Sequence, residues 1–456
     1  MNRPNIILLT IDTLRADRLG SYGNNRLITP NLDSLAAKGI RFNQAITGGS
    51  WTQAAFPVLM TSSYASMYGG CFGRLAPERP SPVEALAAQG YTTAGFSSNP
   101  HLSKVTGYDR GFTHFTDLLP QGSDPVLRRI KGGQRLLRNP FPHYVSSLLG
   151  KRMRPARVYT SAVDMVDLFS RWLEKTQGPF FAWAHFMDIH WPYHLDEDLV
   201  HPKAIAKMWQ DVAIMSKRSS FDRKYELTAE MSAHFLDLYE RALHYLDNQI
   251  GRMFQALANL GLDENTIIVV ISDHGEEFLD HGRWGHWESN LFDEIIRVPL
   301  IFRLPGWKNG IVIDRLVRLL DLMPTILDLC ECSPAEGMEG TSMVPLWRQN
   351  GARYDVSESI TEMQRAGWHR VAVRTEDFKY IWDNKRPDQP ELFELGTDPG
   401  EKSNVVEMYP QEARHFRDRV ECFLQDVANK QPAVSQPKLH LDAEVIRRLQ
   451  GLGYMD

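Results

Sequence analysis

Residues 5–12 read Asn-Ile-Ile-Leu-Leu-Thr-Ile-Asp, a run of mostly apolar side chains that ends on an aspartate. A short, nearly continuous apolar run is typical of a strand that is buried on both faces. The same design recurs late in the chain, where the apolar run Thr266–Ile271 is followed closely by Asp273-His274. Both patterns predict strands of one parallel sheet, with Asp12 and Asp273 at their carboxyl ends. Ligand sites of α/β proteins form at that edge of the sheet.

Further apolar runs alternate with helical patterns between these two strands and beyond them. Thr29-Pro30 and Ser81-Pro82 each combine a capping residue with a first-turn proline, so they predict helix starts. The other predicted elements are strands at Tyr91–Phe96, Phe180–Phe186 and Val298–Phe302 and helices at Ala156–Lys175 and Thr228–Leu260. Strands that alternate with helices predict an α/β fold, in which a large, mostly parallel central sheet is sandwiched by helices.

The pattern changes from about residue 350 onward to short strands separated by turns. The predicted strands are Tyr354–Glu362, Arg370–Arg374, Lys379–Trp382 and Glu391–Glu394, and the predicted helix is Pro410–Ala428. We therefore predict a main domain over residues 1–350 and a small α+β subdomain over residues 351–456.

Composition and charge exclude several classes of protein. The net charge of -5 gives no reason to expect nucleic-acid binding, and the four cysteines lack the spacing of a disulfide framework or a zinc site. The first strand begins so close to Met1 that we expect no signal peptide, and no apolar run approaches the ~18 residues of a membrane span. We therefore expect a cytoplasmic protein without a membrane span, and the sequence leaves a homo-oligomer open.

One segment is strongly basic. From Pro125 to Val163 there are nine Lys and Arg residues and no Asp or Glu. We favour a solvated insertion, because charge runs are commonly solvated faces. The alternative is a lid or a docking surface for an anionic substrate or a membrane surface.

A hydroxyl residue, Thr52, precedes a plausible helix in the segment Ser50-Trp51-Thr52. Thr52 is either a simple N-cap or a hydroxyl placed where the N–H groups of a helix favour an anion. Carboxylate, imidazole and hydroxyl groups can together hold a divalent metal against an activated alcohol. The pattern therefore indicates a metal site, although an aspartate after a strand is often only a helix cap.

Eight segments, spread almost from end to end of the chain, carry recognisable motifs. They are NIILLTIDTLRADRLGSYG (5–23), SWTQAAFPVLMTS (50–62), GYTT (90–93), HFMDIHWPY (185–193), SDHGEEFLDHGRWGH (272–286), RVPLIF (297–302), DLMPTILDL (321–329) and ELFELGTDPGEKSN (391–404). In this order they resemble the sulfatase family of the alkaline phosphatase superfamily. The resemblance implies a central mixed sheet between helices and a small C-terminal antiparallel sheet. It also implies hydrolysis of sulfate or phosphate esters at a divalent metal.

The resemblance also assigns roles to individual residues. The metal ligands that it implies are Asp12, Thr52, Asp273 and His274. Thr52 also occupies the position of the nucleophile, and His190 matches the histidine that faces the leaving-group oxygen. An acid positioned there contributes about 10²–10⁴-fold to the rate. The candidates for substrate binding are Asn99, His101 and His286.

The departures from the family pattern are informative. Sulfatases convert a Cys or Ser at the nucleophile position into formylglycine, and the converting enzyme reads a Pro two residues later and an Arg four residues later. This chain has Thr52, Ala54 and Phe56 there, so we expect no formylglycine. Thr13 stands where many members have a second aspartate. Phe56 and Ser98 occupy two positions where Arg and Lys are expected.

The loss of two cations favours a substrate that carries one negative charge. Such substrates are a phosphodiester, a phosphonate monoester or a sulfate ester, either as a small molecule or linked to a glycan or lipid. We expect a single divalent metal, Ca, Mn, Mg or Zn. A second metal would contradict this expectation, and its candidate ligands are Asp188, His190, His194 and His281.

Two other functions stay open at this point. Related families use a metal-bound threonine to transfer a phosphoethanolamine or phosphoglycerol group to an acceptor, so a transferase is the alternative enzyme. A non-catalytic member is the third hypothesis, because several pocket residues are lost. The presence of Asp12, Thr52, His190 and Asp273-His274 argues against it.

Overall fold

The computed structural model of the chain describes residues 3–118, 159–191, 193, 195, 207, 210–211, 228–286, 290–348, 353–365 and 367–431. Its strands are β1 Asn5–Ile11, β2 Ile40–Ile46, β3 Thr92–Ser97, β4 His114–Asp117, β5 Phe180–Phe186, β6 Thr266–Ser272, β7 Glu277–Phe278, β8 Trp284–Gly285, β9 Arg297–Arg303, β10 Ile311–Arg318, β11 Ser359–Arg365, β12 Trp368–Arg374, β13 Phe378–Asp383 and β14 Glu391–Glu394. Its α-helices are α1 Pro30–Ala37, α2 Thr52–Thr61, α3 Pro82–Ala88, α4 Ala162–Leu173, α5 Ala229–Asn259, α6 Asp293–Ile296, α7 Leu322–Leu329 and α8 Pro410–Asn429. Most of the predicted basic insertion, up to residue 158, lies outside the described residues.

The large sheet has eight strands in the order β10-β2-β9-β6-β1-β5-β3-β4. Strand β9 runs antiparallel to its neighbours β2 and β6, and the other neighbouring pairs are parallel. The prediction of a large, mostly parallel central sheet is therefore confirmed. Strand β1 lies between β5 and β6, and all of its residues are buried, as its continuous apolar pattern predicts.

Helices cover both faces of this sheet. Side chains of a strand point alternately to opposite faces, so Ile7 and Leu9 pack into one core layer while Ile6 and Leu8 pack into the other. The first layer includes apolar residues of α4 and α5, and the second includes apolar residues of α3 and α7. The continuous apolar run of β1 is thus explained by burial from both sides.

The long helix α5 shows how the sequence sets an element's ends. The hydroxyl of Thr228 accepts a hydrogen bond from the N–H of Met231, which caps the N-terminus. Gly261, at a φ of 66°, follows the C-terminus. The helix is amphipathic and carries charged residues on its exposed side. In the described part of the chain, no helix combines the length and apolarity that a membrane crossing needs.

A second sheet, in the order β11-β12-β13-β14, is antiparallel and packs against helix α8. The antiparallel sheet that the resemblance implies and the helix predicted at Pro410–Ala428 are therefore confirmed. Its edge strand β11 reaches the part of the chain that carries the large sheet, because Glu362 forms an isolated parallel bridge with Gly49. That bridge joins the second sheet to the loop that leads into α2.

Two predictions of element bounds need correction, and some strands were missed. The strand predicted at Tyr354–Glu362 lies further along the chain, because β11 covers Ser359–Arg365. The predicted helix Ala156–Lys175 begins only at Ala162 in the described residues. Strands β2 and β10 were not predicted, since polar side chains interrupt their apolar patterns.

Candidate metal centre

The ends of two neighbouring parallel strands place the two aspartates side by side. Ile11, the last residue of β1, pairs with Ser272, the last residue of β6. Asp12 and Asp273 follow directly, and the backbone N–H of Asp12 still donates to the carbonyl of Phe186 on β5, at 2.9 Å. The juxtaposition that the two apolar runs predicted is therefore present.

A compact polar cluster forms at this edge. One ligand atom from each of Asp12, Asp273 and His274 lies within 4.8 Å of the other two. Nε2 of His274 is 3.6 Å from Oδ1 of Asp12 and 3.5 Å from Oδ2 of Asp273. All three side chains are fully buried. Among the described residues, this is the group with the donor atoms and spacing for a metal ion.

The donor set fits a divalent cation. Oδ1 of Asp12 and Oδ2 of Asp273 are buried and accept no hydrogen bond from any described residue. Burial, reinforced by repulsion from Asp12, raises the pKa of Asp273 well above its ordinary value. Two buried carboxylates in contact are costly unless a cation compensates them. A metal held here would relieve both the repulsion and the missing hydrogen bonds.

The surroundings of His274 favour the neutral imidazole, which is the form that binds metals. Burial lowers the pKa of its imidazole to about 3, and Nδ1 lies 2.9 Å from the carbonyl oxygen of Gly275. An Nδ1–H that donates to this carbonyl leaves the lone pair of Nε2 facing the two carboxylates. Proteins bind metals through imidazole in this form.

Gly275 is required by its close packing rather than by its dihedral angles. We expect Gly275→Ala to lower the free energy of unfolding by about 1–3 kcal/mol or more. An added Cβ would lie 2.0 Å from the carbonyl oxygen of Glu294. The backbone cannot easily move away, because the N–H of Gly275 donates to the carbonyl of Ile295 at 2.7 Å. Denaturant titration measures the change. Gly396→Ala is the control, because nothing lies within 4 Å of a Cβ there; equal losses in both variants would contradict the explanation.

The hydroxyl of Thr52 joins the cluster. Its Oγ1 lies 3.4 Å from Oδ2 of Asp12 and 3.5 Å from Nε2 of His274. The alternative that Thr52 is an N-cap is wrong, because Thr52 is the first residue of α2 and the cap position belongs to Trp51. Its hydroxyl therefore faces the candidate metal ligands at the start of a helix, where positive dipole and N–H groups favour an anion.

Thr13 does not replace the aspartate that many family members have at this position. Its hydroxyl donates to the carbonyl of Ile189 at 2.9 Å, and its backbone adopts a φ of 60°. A positive φ is unusual for a β-branched residue and marks local strain. The strained turn lets the backbone N–H of Thr13 donate to the carboxylate of Asp273.

His185 was not among the predicted site residues, yet it contacts Asp12. Its Nε2 lies 3.4 Å from Oδ2 of Asp12. On the other side, its Nδ1 lies 2.9 Å from the hydroxyl of Thr10, which accepts a hydrogen bond from the indole N–H of Trp183. The Thr10 hydroxyl can then donate to Nδ1, which leaves the proton on Nε2 and directs it toward Asp12. The only sequence signal was a histidine near the end of a buried strand.

Asn99 and His101 lie on the loop after β3, and both are near the cluster. Nδ2 of Asn99 donates to Oδ2 of Asp12 at 3.3 Å, and its Oδ1 accepts from the backbone N–H of His101. Burial lowers the pKa of the His101 imidazole to about 3, against the opposing effect of Asp12's negative charge. The structure therefore brings these two predicted residues into the site.

His190 and His286 are neighbours, and His286 lies beside His274. The His286 ring lies 4.5 Å from the His274 ring and 5.1 Å from the His190 ring, measured between centroids. Nδ1 of His190 is 2.7 Å from the carbonyl oxygen of Trp191. Burial lowers the pKa of His190, and burial lowers that of His286 to about 4. Burial therefore favours the neutral form of both imidazoles.

Glu276 contacts His286 and was not among the predicted site residues. Its Oε1 lies 2.9 Å from Nδ1 of His286, and its Oε2 accepts from the hydroxyl of Tyr193 at 2.9 Å. Burial raises the pKa of Glu276 to about 7. Its position two residues after His274 was the signal that the sequence offered.

Two candidates for a second metal, Asp188 and His281, make other contacts. Oδ1 of Asp188 accepts from the N–H of Ala162 at the start of α4. His281 pairs with Glu294 at 2.8 Å and stacks on Phe292. His194 lies outside the described residues.

One cation reaches the site from the second sheet. The guanidinium of Arg365, at the end of β11, lies over the ring of Trp51 at 5.3 Å from its centroid. After burial, the positive charge of Arg365 is a further cause of the lowered pKa of His101 and His286. No local pattern marks Arg365, because it lies far from the motifs in sequence.

Two family models match the chain. The model described as Sulfatase matches residues 4–331, and the model described as N-sulphoglucosamine sulphohydrolase, C-terminal matches residues 282–427. An arylsulfatase from Clostridium perfringens is 24% identical over 468 residues, covering 92% of this chain and 92% of its own. A choline-sulfatase from Rhizobium meliloti is 26% identical over 438 residues, covering 89% and 83%.

Solved structures share the fold. Phosphonate monoester hydrolase of Agrobacterium radiobacter aligns with a TM-score of 0.69 at 22% identity, covering 93% of this chain and 96% of its own. BT4656, solved in complex with its substrate D-glucosamine-2-N,6-O-disulfate, aligns with a TM-score of 0.68 at 17% identity, covering 94% and 99%. At these identities the likeness concerns the fold alone.

Proposed function

Because the chain belongs to the sulfatase family of ester hydrolases, we propose that it hydrolyses a monoanionic ester with the unmodified hydroxyl of Thr52 as the nucleophile. The ester is a phosphodiester, a phosphonate monoester or a sulfate ester. One observation carries the proposal: the Thr52 hydroxyl lies in the same buried cluster as Asp12 and His274, at 3.4 and 3.5 Å. The arylsulfatase and choline-sulfatase among its relatives support the sulfate class by their names.

The metal ligands and Thr52 have separate proposed roles. A divalent cation on Asp12, Asp273 and His274 would lower the pKa of the adjacent hydroxyl and favour negative charge on the ester. Oγ1 of Thr52 loses its proton to water and forms a bond to sulfur or phosphorus while the bond to the leaving alcohol breaks; the proton returns to Oγ1 when water later displaces it. Water then displaces Thr52 from this covalent intermediate and releases the acid.

His190 is proposed to protonate the leaving alcohol. Its Nδ1 is committed to the carbonyl of Trp191, so Nε2 is the nitrogen that can carry the transferred proton. Burial favours the neutral ring, but a bound anion favours the protonated form. Binding of the anionic substrate would therefore favour the protonated form of His190, which can then donate a proton to the leaving alcohol.

The number of positive charges supports a monoanion. Phe56 and Ser98 are neutral where the family resemblance implies cations, and both are buried. The described residues offer one cluster of metal-ligand type, and the guanidinium of Arg365 lies over Trp51, next to Thr52. A phosphate monoester carries nearly two negative charges at pH 7 and would be neutralised less completely than a monoanion.

A substrate panel on metal-defined protein tests the proposal. We expect at least one of nitrophenyl sulfate, nitrophenyl phosphonate and a nitrophenyl phosphodiester to be turned over with a kcat/KM about tenfold or more above that for nitrophenyl phosphate. Metal analysis should give one equivalent per chain. Preference for the phosphate monoester, or two equivalents of metal, would overturn the charge argument.

Three sequence predictions remain proposals alongside this one. They are the domain division near residue 350, a cytoplasmic location and a homo-oligomer. The asserted roles of Asn99, His101 and His286 in substrate binding belong with them.

A further inference from the structure

A cavity of about 570 Å³ lies apart from the candidate metal centre. The part of the chain that carries the large sheet contributes Tyr22, Arg41 and Arg297 to its lining. The part that carries the second sheet contributes Arg374 and Leu395. None of the described residues that line this cavity belongs to the candidate metal centre. Its volume falls in the range of ~300–1,000 Å³ that is usual for sites that bind small molecules.

Two guanidinium groups meet in this cavity at a single residue, Asn43. Nε of Arg297 donates to the backbone carbonyl of Asn43 at 3.0 Å, and Nη1 of Arg41 donates to its Oδ1 at 2.7 Å. The Arg41 guanidinium also lies over the ring of Tyr22, 4.7 Å from the centroid. Within the part of the chain that the structure describes, neither guanidinium pairs with a carboxylate. Arg41 and Arg297, the arginine pair, thus hold two like charges close together, and such a surface attracts anions.

The acidic side chains that line the cavity are engaged with other cations. Asp293 accepts two hydrogen bonds from the guanidinium of Arg374, each 3.1 Å long, and lies 2.5 Å from Nζ of Lys379. Glu376 pairs with Arg315 at 3.3 Å. Since both carboxylates are committed to these pairs, the two positive charges of the arginine pair remain for a ligand.

From the arginine pair and the size of the cavity we propose a binding site for a small phosphate monoester, of the size of a sugar phosphate. Guanidinium groups bind phosphate oxygens through charge-assisted hydrogen bonds, and a phosphate monoester carries nearly two negative charges at pH 7, which matches the arginine pair. The volume is many times the ~30 Å³ that one water molecule occupies. It therefore has room for an organic part beside the phosphate group, which can contact Leu395.

Isothermal titration calorimetry with glucose 6-phosphate tests the site on the intact chain. We expect one equivalent to bind both with metal and after its removal by a chelator, because the cavity lacks the candidate metal ligands. Glucose 6-sulfate carries one negative charge, and inorganic phosphate lacks the organic part, so each should bind about tenfold more weakly. Equal binding of glucose 6-sulfate would contradict the charge match. Equal binding of inorganic phosphate would assign the site to the free anion and overturn the sugar-phosphate ligand.

Variants of the arginine pair locate the binding. Arg41→Gln and Arg297→Gln should each weaken the binding of glucose 6-phosphate about tenfold or more, because each removes a charge-assisted contact. Arg303→Gln is the matched control and should keep the affinity within about twofold. Arg303 lies at the other end of β9 from Arg297, is half-buried like it, and also donates to a backbone carbonyl, that of Asp263 at 3.1 Å.

Thermal unfolding of each variant shows whether it folds, so the affinities are compared between folded proteins. Unchanged affinity in both Arg41→Gln and Arg297→Gln would overturn the site. So would the absence of saturable binding of glucose 6-phosphate to the unaltered protein. Binding that disappears when the metal is removed would place the phosphate at the metal centre and would equally overturn the site.

Discussion

Thr52→Ala should reduce kcat by about 10³-fold or more while leaving the site able to bind metal through its other three candidate ligands. The variant removes the only atom that is proposed to bond to sulfur or phosphorus. The three charged or imidazole ligands, Asp12, Asp273 and His274, stay in place. Steady-state kinetics with the best substrate of the panel gives kcat, and metal analysis of the same sample gives occupancy.

Thr52→Ser is the matched control, because it keeps a hydroxyl at the same position. It should retain activity within about 10²-fold of the unaltered protein, since only a methyl group is lost. Intact mass measurement should show an unmodified Thr52, and rapid quenching should trap a substrate-derived adduct on it. A Thr52→Ala protein with full turnover would rule out the proposed nucleophile.

Asp273→Asn should abolish the stabilisation that metal gives and reduce turnover by about 10³-fold or more. Saturating metal at about 100 times its dissociation constant stabilises the folded protein by about 2.7 kcal/mol. In the metal-free protein the opposite holds: Asp12 and Asp273 repel each other in a buried site, so neutralising one should leave stability equal or higher. Thermal unfolding with and without metal separates the two effects.

Asp247→Asn provides the comparison for this experiment. Asp247 is as buried as Asp273, but its carboxylate accepts from the N–H groups of Asn31 and Leu32 at the start of α1. We expect this variant to lose stability equally with and without metal and to keep the full metal-induced shift. If Asp273→Asn behaved in the same way, Asp273 would be a structural residue and not a ligand.

The central part of the fold could be predicted because local pattern and topology agree there. The apolar runs of β1, β5 and β6 are buried on both faces, and parallel strands bring their carboxyl ends to one edge. Asp12 and Asp273-His274 follow from that rule alone. Strands β2 and β10 escaped prediction because they lie toward one edge of the sheet, where partial exposure permits polar residues.

The surroundings of the cluster could be predicted much less well. Thr52 was found through the family resemblance, since its local pattern fits an N-cap equally well. The contacts of His185 and Glu276 depend on which strand neighbours which and on how a loop folds back. Arg365 depends on the docking of an entire second sheet, and no local rule contains that information.

Strand β11 is attached to the segment before Thr52, so two different sheets contribute to the surroundings of the candidate site. The candidate metal ligands Asp12, Asp273 and His274 follow the central strands β1 and β6, whereas Arg365 lies at the tip of the β11–β12 hairpin. A sequence change at that tip leaves the strands that carry Asp12 and Asp273 untouched, so the hairpin can vary without altering the metal ligands.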